Sequence, residues 1–530
     1  MASALFDLDE EPDSSSEREA FHTNPDLVKF LLRCAVPSTK LDIRPSRVAS
    51  GSGLFATVPV EAGCEIYRSD PVLLCAEKAT VCQWCLEDMA DHLSRGSDAP
   101  GKTRKCSACH SARYCSKACQ TKAWSAFHKD ECRVLTQSPT MPAHHLALYR
   151  LLFWQERGMI PNMLGKCINY MEDHFRDYAG DTDEAAQIID IVMGIHAETK
   201  STRDQSLVWR CLPAMMTNMV RIRGPVEREL YGWALDLLSS TLNHSCDPNA
   251  FLFFEGRQLR LRSLKRIAPG EELTICYTDP TIEVTLRRAF LQKYHFFDCH
   301  CVRCRGELRE YDARLGRDAA KRANLAATQR QMLVLADSAN RCVTRADGQV
   351  DNFDDLDLVE KQLRGLQAAG GFPHGLWPGH VEPLPMLHNS LCQVYAARKN
   401  PRMAARHGVQ AVAFSRLRSG PEWVNCAFDL ANALVTLAAA PDDCPLEPRL
   451  VRHLIHGHAV EIRNQATKWF GADCRYTAMM RKWHDSIVEH TGPHRSTTPA
   501  DDWHKSFDEA QYQLFVWVGV DSALAFKMSA

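Results

Sequence analysis

The feature that most constrains this chain is a group of cysteines and one histidine at residues 82–132. It consists of four close pairs: Cys82-x2-Cys85, Cys106-x2-Cys109, Cys115-x3-Cys119 and His128-x3-Cys132. Two such pairs can surround one zinc ion tetrahedrally, with each sulfur about 2.3 Å from the metal. A segment this short buries little core, so zinc would supply much of its folding free energy, on the order of 10–16 kcal/mol. The spacing therefore predicts a two-zinc module, which we call the finger.

Disulfides and chance clustering are the alternative interpretations of the 22 cysteines in this 530-residue chain. Four regular pairs that end in a histidine disfavour chance. Residues 1–20 carry seven acids and a single base, Arg18, the reverse of a secretory or transit peptide. No apolar run reaches the roughly 18 residues of a membrane span. We therefore expect a protein of the nucleus and/or cytoplasm, not secreted and without a membrane partner, in which clustered cysteines bind zinc or stay as thiols.

Hydrophobic patterning divides the rest of the chain. Strand-like runs at 48–74 and 250–277 flank a helical pattern at 140–238, and the chain is helical almost throughout beyond about 310. Pairs of the length of helix-turn-helix units occur at 387–399 with 401–416 and at 422–439 with 449–469. They favour a stacked, TPR-like array, and an irregular helical bundle is the alternative.

Seven bases and no acid lie between residues 101 and 129. They are Lys102, Arg104, Lys105, Arg113, Lys117, Lys122 and Lys129. Such a run can bind nucleic acid, or it can be a solvated face that offsets nearby thiolates. The formal net charge of -2 gives no support to binding through bulk charge, so a DNA partner stays open.

A second ordered set of motifs lies in the strand-like runs. It comprises Gly51-Ser52-Gly53-Leu54, then Asn243-His244-Ser245-Cys246-Asp247-Pro248-Asn249, then Pro269-Gly270-Glu271-Glu272-Leu273-Thr274-Ile275-Cys276-Tyr277. An isolated Asn-His-Ser could be a turn with a capping hydroxyl. The ordered set instead resembles the SET methyltransferase domain, and residues 82–132 resemble a MYND zinc finger. Over roughly residues 40–305 the chain resembles the SET-and-MYND lysine methyltransferases, and its helical remainder is similar to their TPR-like domain.

The resemblance implies an α+β multidomain fold: a β SET core of short strands, interrupted by a MYND finger and a helical insert, followed by an all-α TPR-like domain. The expected boundaries are an acidic disordered tail at 1–25, the SET N-terminal half at 40–81, the MYND finger at 82–132, the helical SET insert at 133–235, the SET C-terminal half at 236–281, a post-SET zinc lid at 282–305 and the TPR-like domain at 310–530. A substrate cleft is expected between the SET core and the helical array.

The resemblance also implies three structural zinc ions. The finger sites interleave in that family, which pairs Cys82, Cys85, Cys115 and Cys119 on one ion and Cys106, Cys109, His128 and Cys132 on the other. The third set is Cys246 with Cys299, Cys301 and Cys304, which we call the lid cluster. The spacer between Cys85 and Cys106 is longer than usual in the family, so we expect Asp88–Gly101 to be an extruded loop.

S-adenosylmethionine is the cofactor that the resemblance implies. The residues expected to hold it are Gly51, Ser52, Gly53, Asn218, Asn243, His244, Tyr277 and Phe297. Tyr277 is also the expected catalytic residue, and Tyr294, His295 and Phe296 are expected to form the lysine channel. The family tyrosine usually lies four residues before the first lid cysteine, where this chain has His295. Either the chain bulges by one residue, or His295 forms part of the channel wall.

The implied reaction is methyl transfer to the ε-amine of a lysine in a histone or non-histone protein. It is an in-line displacement that needs alignment and no protein nucleophile. The amine must be neutral, and lowering its pKa from about 10.4 to near 7 takes about 4.6 kcal/mol, which a dry aromatic channel beside a sulfonium can supply.

The expected partners are a protein substrate and a Pro-rich peptide at the finger, with the chain itself a monomer. A non-catalytic adaptor in transcriptional regulation and a DNA-binding regulator are the alternatives.

Overall fold

The computed structural model describes most of the chain. The continuous ranges are 20–37, 40–89, 101–159, 162–174, 205–224, 230–278, 284–316, 318–343, 353–368, 384–416, 421–440, 446–491 and 500–520, with single positions at 177, 187, 190, 191, 193, 194, 282 and 444. Most of the predicted acidic tail, the centre of the predicted loop Asp88–Gly101 and most of the helical pattern at 184–197 lie outside the described residues.

The described strands are short and form several small sheets. They are β1 (Leu41–Pro45), β2 (Ser52–Ala56), β3 (Glu65–Ser69), β4 (Leu73–Ala76), β5 (Arg104–Lys105), β6 (Arg113–Tyr114), β7 (Val220–Arg223), β8 (Leu230–Leu235), β9 (Asn243–His244), β10 (Ala250–Glu255), β11 (Gln258–Ser263) and β12 (Thr274–Ile275). The antiparallel sheets are β1–β2, β10–β11–β3, β4–β8–β7 and β5–β6, and β9 runs parallel to β12. The hairpin predicted over 251–262 is confirmed, with Phe254 opposite Leu259.

Helices cover these sheets on the N-terminal side. They are α1 (Pro25–Arg33), α2 (Lys117–Ala123), α3 (Lys129–Gln137), α4 (Ala143–Glu156), α5 (Asn162–Tyr170) and α6 (Gln205–Asn218). Helix α1 starts where proline loses no hydrogen bond, and the Asn24 side chain accepts from the N–H groups of Asp26 and Leu27. Strands β1–β4, β8 and β10–β12 share one hydrophobic core with α1, α4, α5 and α6. We call these elements, together with β7 and β9, the sheet core.

The segment predicted as a helical insert over 133–235 is only partly helical. Helix α6 ends at Asn218, and β7 and β8 follow and pair with β4. Residues 220–223 alternate apolar and basic, the period-two pattern of a strand, and only Ile222 among them is buried. The prediction of a helical pattern as far as residue 238 is therefore wrong from residue 220 onward, because the period changes there.

The finger is attached to the sheet core by two arginines. The buried Arg150 on α4 donates from Nε to Glu131 Oε1 at 2.5 Å and from Nη1 to the Leu74 carbonyl at 2.7 Å. At the β10–β11 turn, the Arg257 guanidinium lies 4.2 Å from the centre of the Trp84 ring. The finger therefore has a fixed position against the sheets.

The described residues beyond 283 are helical apart from their connections. The helices are α7 (Val284–His295), α8 (Val302–Leu315), α9 (Ala319–Val343), α10 (Phe353–Ala368), α11 (Leu384–Ala397), α12 (Pro401–Arg416), α13 (Glu422–Ala438), α14 (Pro448–Phe470), α15 (Arg475–Thr491) and α16 (Ala500–Val518). The helix pairs predicted between 387 and 469 are confirmed as α11 to α14, and each contacts the next. Helices α9–α16, the C-terminal helices, share a second core. Their TPR-like arrangement stays a prediction.

The C-terminal helices pack on the sheet core at strand β10. The rings of Phe251 and Phe253 meet Phe470 edge-on, with centroids 6.1 and 5.4 Å away. Beside them, Arg260 Nη1 lies 3.0 Å from an Asp473 carboxylate oxygen. This contact holds the two cores next to each other. None of the described helices is long and apolar enough to cross a membrane.

Candidate functional site

The finger brings its eight predicted ligands together in two groups. In each group the four ligand atoms lie within 4.8 Å of one another: Cys82, Cys85, Cys115 and Cys119 in the first, and Cys106, Cys109, His128 and Cys132 in the second. Tetrahedral zinc–sulfur geometry needs sulfurs about 3.8 Å apart. The Cys85–Cys115 and Cys106–Cys132 distances are 3.7 and 3.8 Å. Donor type and spacing both fit zinc, in the interleaved pairing.

The lid cluster forms a third group of the same kind. Cys246 lies in the loop after β9, whereas Cys299, Cys301 and Cys304 lie around the start of α8, and all four sulfurs are within 4.8 Å of one another. Cys246 Sγ is 3.8 Å from Cys299 Sγ and 3.3 Å from Cys304 Sγ. A zinc ion here would join the loop after β9 to the start of α8.

A buried arginine lies against the lid cluster. Arg287 on α7 is 0% exposed, and its Nε lies 3.0 Å from Cys246 Sγ. Its Nη2 lies 3.6 Å from Cys304 Sγ and donates to Glu307 Oε2 at 2.6 Å. Four thiolates around Zn²⁺ carry a net charge of about -2, because coordinating thiols are deprotonated. Arg287 therefore offsets the negative charge that a metallated lid cluster would have.

Asn243 is tied to three other segments by its side chain. Its Nδ2 group faces Glu272 Oε1 at 2.8 Å, the Ser52 carbonyl at 2.9 Å and Ser46 Oγ at 3.1 Å. The buried Glu272 carboxylate also accepts from Ser46 Oγ and from the Arg47 N–H, at 2.8 and 2.6 Å. Glu272, in the loop before β12, thus joins this loop to β9 and to the loop between β1 and β2.

The two glycines of the Gly-x-Gly motif have different surroundings. A Cβ on Gly53 would lie 2.4 Å from Glu272 Oε1, so the carboxylate requires glycine at this position. Gly51 has φ +82°, which favours glycine, and the space where its Cβ would stand is open to 4 Å. Backbone groups at Gly51 can therefore approach a ligand closely, as the predicted cofactor role needs.

His244 connects the lid cluster to Tyr277. Its Nδ1 accepts from the Tyr277 N–H at 3.0 Å, and its Nε2 lies 3.1 Å from Cys246 Sγ. Burial lowers the pKa of His244 to about 4, so the ring is neutral at pH 7 and its one proton is on Nε2, directed at the sulfur. The Phe297 ring lies 5.6 Å from the His244 ring.

Tyr277 is held on two sides. Its hydroxyl donates to the Leu242 carbonyl at 2.6 Å, which leaves the oxygen lone pairs available to a ligand. Burial, followed by the negative charge of Glu272, raises the pKa of Tyr277, so the hydroxyl stays protonated. The ring of His295 lies 4.8 Å from the Tyr277 ring.

The three predicted channel residues occupy different places. His295 is the one whose ring lies against Tyr277, whereas Tyr294 is 43% exposed and packs on Phe290 at 4.6 Å. Phe296 has φ +56° and turns its ring towards His174, 5.2 Å away. Of the two sequence alternatives, this arrangement favours His295 as part of the wall. Burial, with nearby His244, lowers its pKa to about 4.

A cavity of about 900 Å³ opens between the sheet core and the C-terminal helices. Its lining includes Tyr277, His295 and Tyr294, and also Phe470 and Tyr476 of the C-terminal helices. This is the position at which the sequence predicts a substrate cleft.

Asn218 also lines this cavity. Its amide donates to the carbonyls of Glu172 and Ala214, both at 2.7 Å. A ligand could therefore use only the carbonyl oxygen of the Asn218 side chain.

The sequence analysis did not predict three of the residues that support this site. Glu272 lies in the Gly-Glu-Glu-Leu run, where the second acid gives no separate indication of burial. Arg287 looks like any basic residue of a helix. Arg150 does carry an indication, because it interrupts an apolar run in which nearly every neighbour is buried, and an isolated charge there needs a partner.

Comparison with known proteins gives a consistent family. Residues 51–278 match the SET domain model. The human histone-lysine N-methyltransferase SMYD3 is 31% identical over 275 residues, which cover 50% of this chain and 62% of that protein. Residues 51–278 therefore match a SET domain, and about half of the chain is similar to SET-and-MYND proteins. The SET domain and MYND-type zinc finger protein 6 of Schizosaccharomyces pombe is 29% identical over 261 residues, 48% of this chain and 50% of that protein.

A shorter match has a higher identity than these two. A SET and MYND domain-containing protein of Dictyostelium discoideum, DDB_G0292454, is 45% identical over 78 residues, 14% of this chain and 23% of that protein. The chain thus spans less than two thirds of each of these relatives. A solved SET domain structure, LSMT bound to lysine and AdoHcy, aligns over 91% of this chain and 98% of that one, with 10% identity and a TM-score of 0.29. That score is too low to support a structural inference.

Proposed function

We propose that this protein transfers a methyl group from S-adenosylmethionine to the ε-amine of a lysine in a protein substrate. The observation that carries the proposal is the placement of Tyr277. Its hydroxyl is fixed by the Leu242 carbonyl, its N–H is fixed by His244, and its side chain lines the large cavity. The match of residues 51–278 to the SET domain and the similarity to the human histone-lysine N-methyltransferase SMYD3 support the same reaction.

Tyr277 would orient the amine. Because its hydroxyl proton is used by the Leu242 carbonyl, the oxygen presents lone pairs that can accept an N–H from the lysine. The lysine nitrogen is thereby aligned without a covalent step, which is the main need of an in-line displacement.

The wall beside Tyr277 would favour the neutral amine. His244 and His295 both have pKa values lowered to about 4, mainly by burial, so at pH 7 this wall consists of neutral, buried rings that solvate an ammonium poorly. Removal of the amine from bulk water raises the free energy of its charged form more than that of its neutral form. The ammonium would therefore lose its proton more readily at this position than in water.

The cofactor, when bound, supplies an electrophilic methyl group on a positively charged sulfur. The residues that would hold it are the open backbone at Gly51, the carbonyl oxygen of Asn218 and the backbone of Asn243 and His244. The Phe297 ring beside His244 offers a flat apolar surface for an adenine. The side chain of Asn243 is not free for this task, since it holds Glu272 and Ser46.

Calorimetric titration of S-adenosylmethionine into zinc-replete protein tests the cofactor claim. We expect binding with one cofactor per chain, and the absence of a binding signal would contradict the proposal.

Replacement of the tyrosine tests its role in catalysis. Tyr277→Phe should lower kcat by about 100-fold, within the range of single positioned catalytic groups, while cofactor affinity changes by less than about threefold. Tyr512→Phe, on an exposed part of α16, is the matched control and should change neither quantity. Equal kcat in wild type and Tyr277→Phe would remove Tyr277 from this role.

A further inference from the structure

Most charged side chains that line the cavity are paired within the protein. Arg475 pairs with Glu255 at 2.6 Å and also contacts Glu87, and Lys265 Nζ lies 3.0 Å from Asp247. Arg221 differs from them. Among the residues that the structure describes, no carboxylate lies within ion-pair distance of its guanidinium, and partial desolvation, followed by the positive charge of Arg223, lowers its pKa.

Two aromatic rings hold the Arg221 side chain at the cavity wall. Arg221 stands opposite Trp233 in the β7–β8 ladder, and its Cζ lies 5.5 Å from the Trp233 ring centre. On its other side the Phe290 ring centre is 5.7 Å away. The residue is exposed, and its neighbour Ile222 is buried on the opposite face of the strand. The guanidinium is thus held by two rings at the wall of the cavity, which reduces the entropy lost on binding.

A short series of ring contacts connects Arg221 with Tyr277. Phe290 lies 6.1 Å from His295, and His295 lies 4.8 Å from Tyr277. An extended peptide advances about 3.3 Å per residue. A substrate whose lysine reaches Tyr277 would therefore present a side chain to Arg221 within about five residues of that lysine.

We propose that Arg221 binds a carboxylate of the substrate, so that the site selects lysines with an aspartate or glutamate within about five positions. This inference rests on the proposed function. A guanidinium offers parallel N–H groups that match a carboxylate in a bidentate arrangement. A protein segment is favoured over nucleic acid because the other cavity cations named above are already paired, whereas a nucleic acid needs several phosphate contacts.

The test uses fluorescent 15-residue peptides that contain one lysine among neutral residues. In each peptide one position, from five before to five after the lysine, is glutamate, and the matched peptide has glutamine there. Binding to the full chain is measured by anisotropy at fixed salt, with and without S-adenosylhomocysteine. We expect glutamate at one or two positions to bind about tenfold more tightly than glutamine, the scale of a charge-assisted hydrogen bond.

Variants locate the effect at Arg221. Arg221→Gln should remove the preference, and Arg221→Glu should reverse it in favour of a lysine at the same position. The matched control is Arg157→Gln, an exposed arginine that stacks on Phe153 at 4.5 Å away from the cavity lining, and it should keep the full preference. The comparison of glutamate with glutamine on the wild-type chain does not depend on how any variant folds.

Each outcome decides between the proposals. Equal affinities for the glutamate and glutamine peptides, no binding of either, or a preference that survives both Arg221 changes would overturn this inference. Tighter, Arg221-dependent binding of a single-stranded oligonucleotide would overturn it in favour of nucleic acid. Methylation assays on the same peptides separate the two claims: an Arg221-dependent acidic preference without methylation would contradict the proposed function alone, and methylation without that preference would contradict this inference alone.

Discussion

The finger and the lid cluster both gather zinc ligands, but their surroundings differ. All eight finger ligands come from one continuous segment, and the buried arginine beside them, Arg150, pairs with the Glu131 carboxylate. The lid cluster joins Cys246 to three cysteines more than fifty residues later, and its buried arginine, Arg287, donates to the sulfurs. The finger metals would therefore fold a local module, whereas the lid metal would join distant segments.

The lid cluster is also in contact with the proposed catalytic residue. The His244 ring donates a hydrogen bond from Nε2 to Cys246 Sγ, and its Nδ1 accepts one from the Tyr277 N–H. Among the described residues, no comparable series of hydrogen bonds connects the finger ligands with Tyr277. Loss of the lid metal should thus disturb the chemistry, and loss of a finger metal should disturb mainly the finger.

The largest expected effect is the loss of methyl transfer when one ligand of the lid cluster is replaced. Cys299→Ser should remove one zinc ion and lower methyl transfer by about 100-fold or more, because a displacement of about 1 Å at a reacting centre has an effect of that size. Cys119→Ser, the matched change in the finger, should also remove one zinc ion but keep transfer within about threefold. Zinc content by plasma mass spectrometry and single-turnover rates provide the two measurements. Equal losses of activity would refute the distinction.

The next largest effect is the loss of stability when either buried arginine is replaced by methionine. Arg150→Met leaves the Glu131 carboxylate, which is 1% exposed, without a counter-charge and should destabilise the protein by about 3–5 kcal/mol. Arg287→Met should have a smaller effect, about 1–3 kcal/mol, because the Glu307 side chain is 33% exposed and water can solvate it.

Urea unfolding with zinc present measures both changes. Glu131→Gln added to Arg150→Met should recover part of the loss. A larger loss for Arg287→Met than for Arg150→Met would show that the sulfurs, rather than the carboxylate, carry the greater uncompensated charge.

The same comparison explains what the sequence could predict. A zinc site needs four ligands of fixed type at short spacing, so Cys82 to Cys132 could be grouped from spacing and family resemblance. The strands within residues 48–74 and the β10–β11 hairpin also follow from local patterns. The surroundings of Tyr277 could not be derived, because Glu272, Arg287 and Arg221 become distinctive only through partners far away in the chain.

Local patterns were also misleading where two periods meet. The strand β7 follows α6 after a single residue, so a window long enough to detect the helix extends into the strand. Likewise, position 295 was ambiguous because the choice between Tyr294 and His295 depends on which ring faces Tyr277, a property of the chain's path and not of its composition.

A substitution at His295 tests whether its ring forms part of the channel wall beside Tyr277. His295→Tyr places a larger ring against Tyr277, so less room remains for an amine that already carries methyl groups. We expect the last methylation step to slow by about tenfold relative to the first, since a difference of one methyl group in a pocket has at least this effect. Mass spectrometry of products over time measures the ratio. Tyr294→Phe, on the exposed side of α7, is the control, and an unchanged ratio in His295→Tyr would exclude His295 from the wall.

The smallest effect concerns pH. Burial, followed by repulsion from the nearby His244, His174 and Arg221 when these groups are protonated, lowers the pKa of His295 to about 4, against about 6.5 in an unfolded chain. The unfolded state therefore binds a proton at this position before the folded state does. The resulting stability is complete above pH 6.5 and is lost as pH falls from 6.5 towards 4.

His295→Asn should lose this part of the pH dependence, and its melting temperature should fall less than that of the wild type between pH 6.5 and 5.5. NMR titration of the His295 ring measures the cause directly: a midpoint near 6.5 would mean that the ring is solvated and does not form the dry wall that the proposed reaction needs.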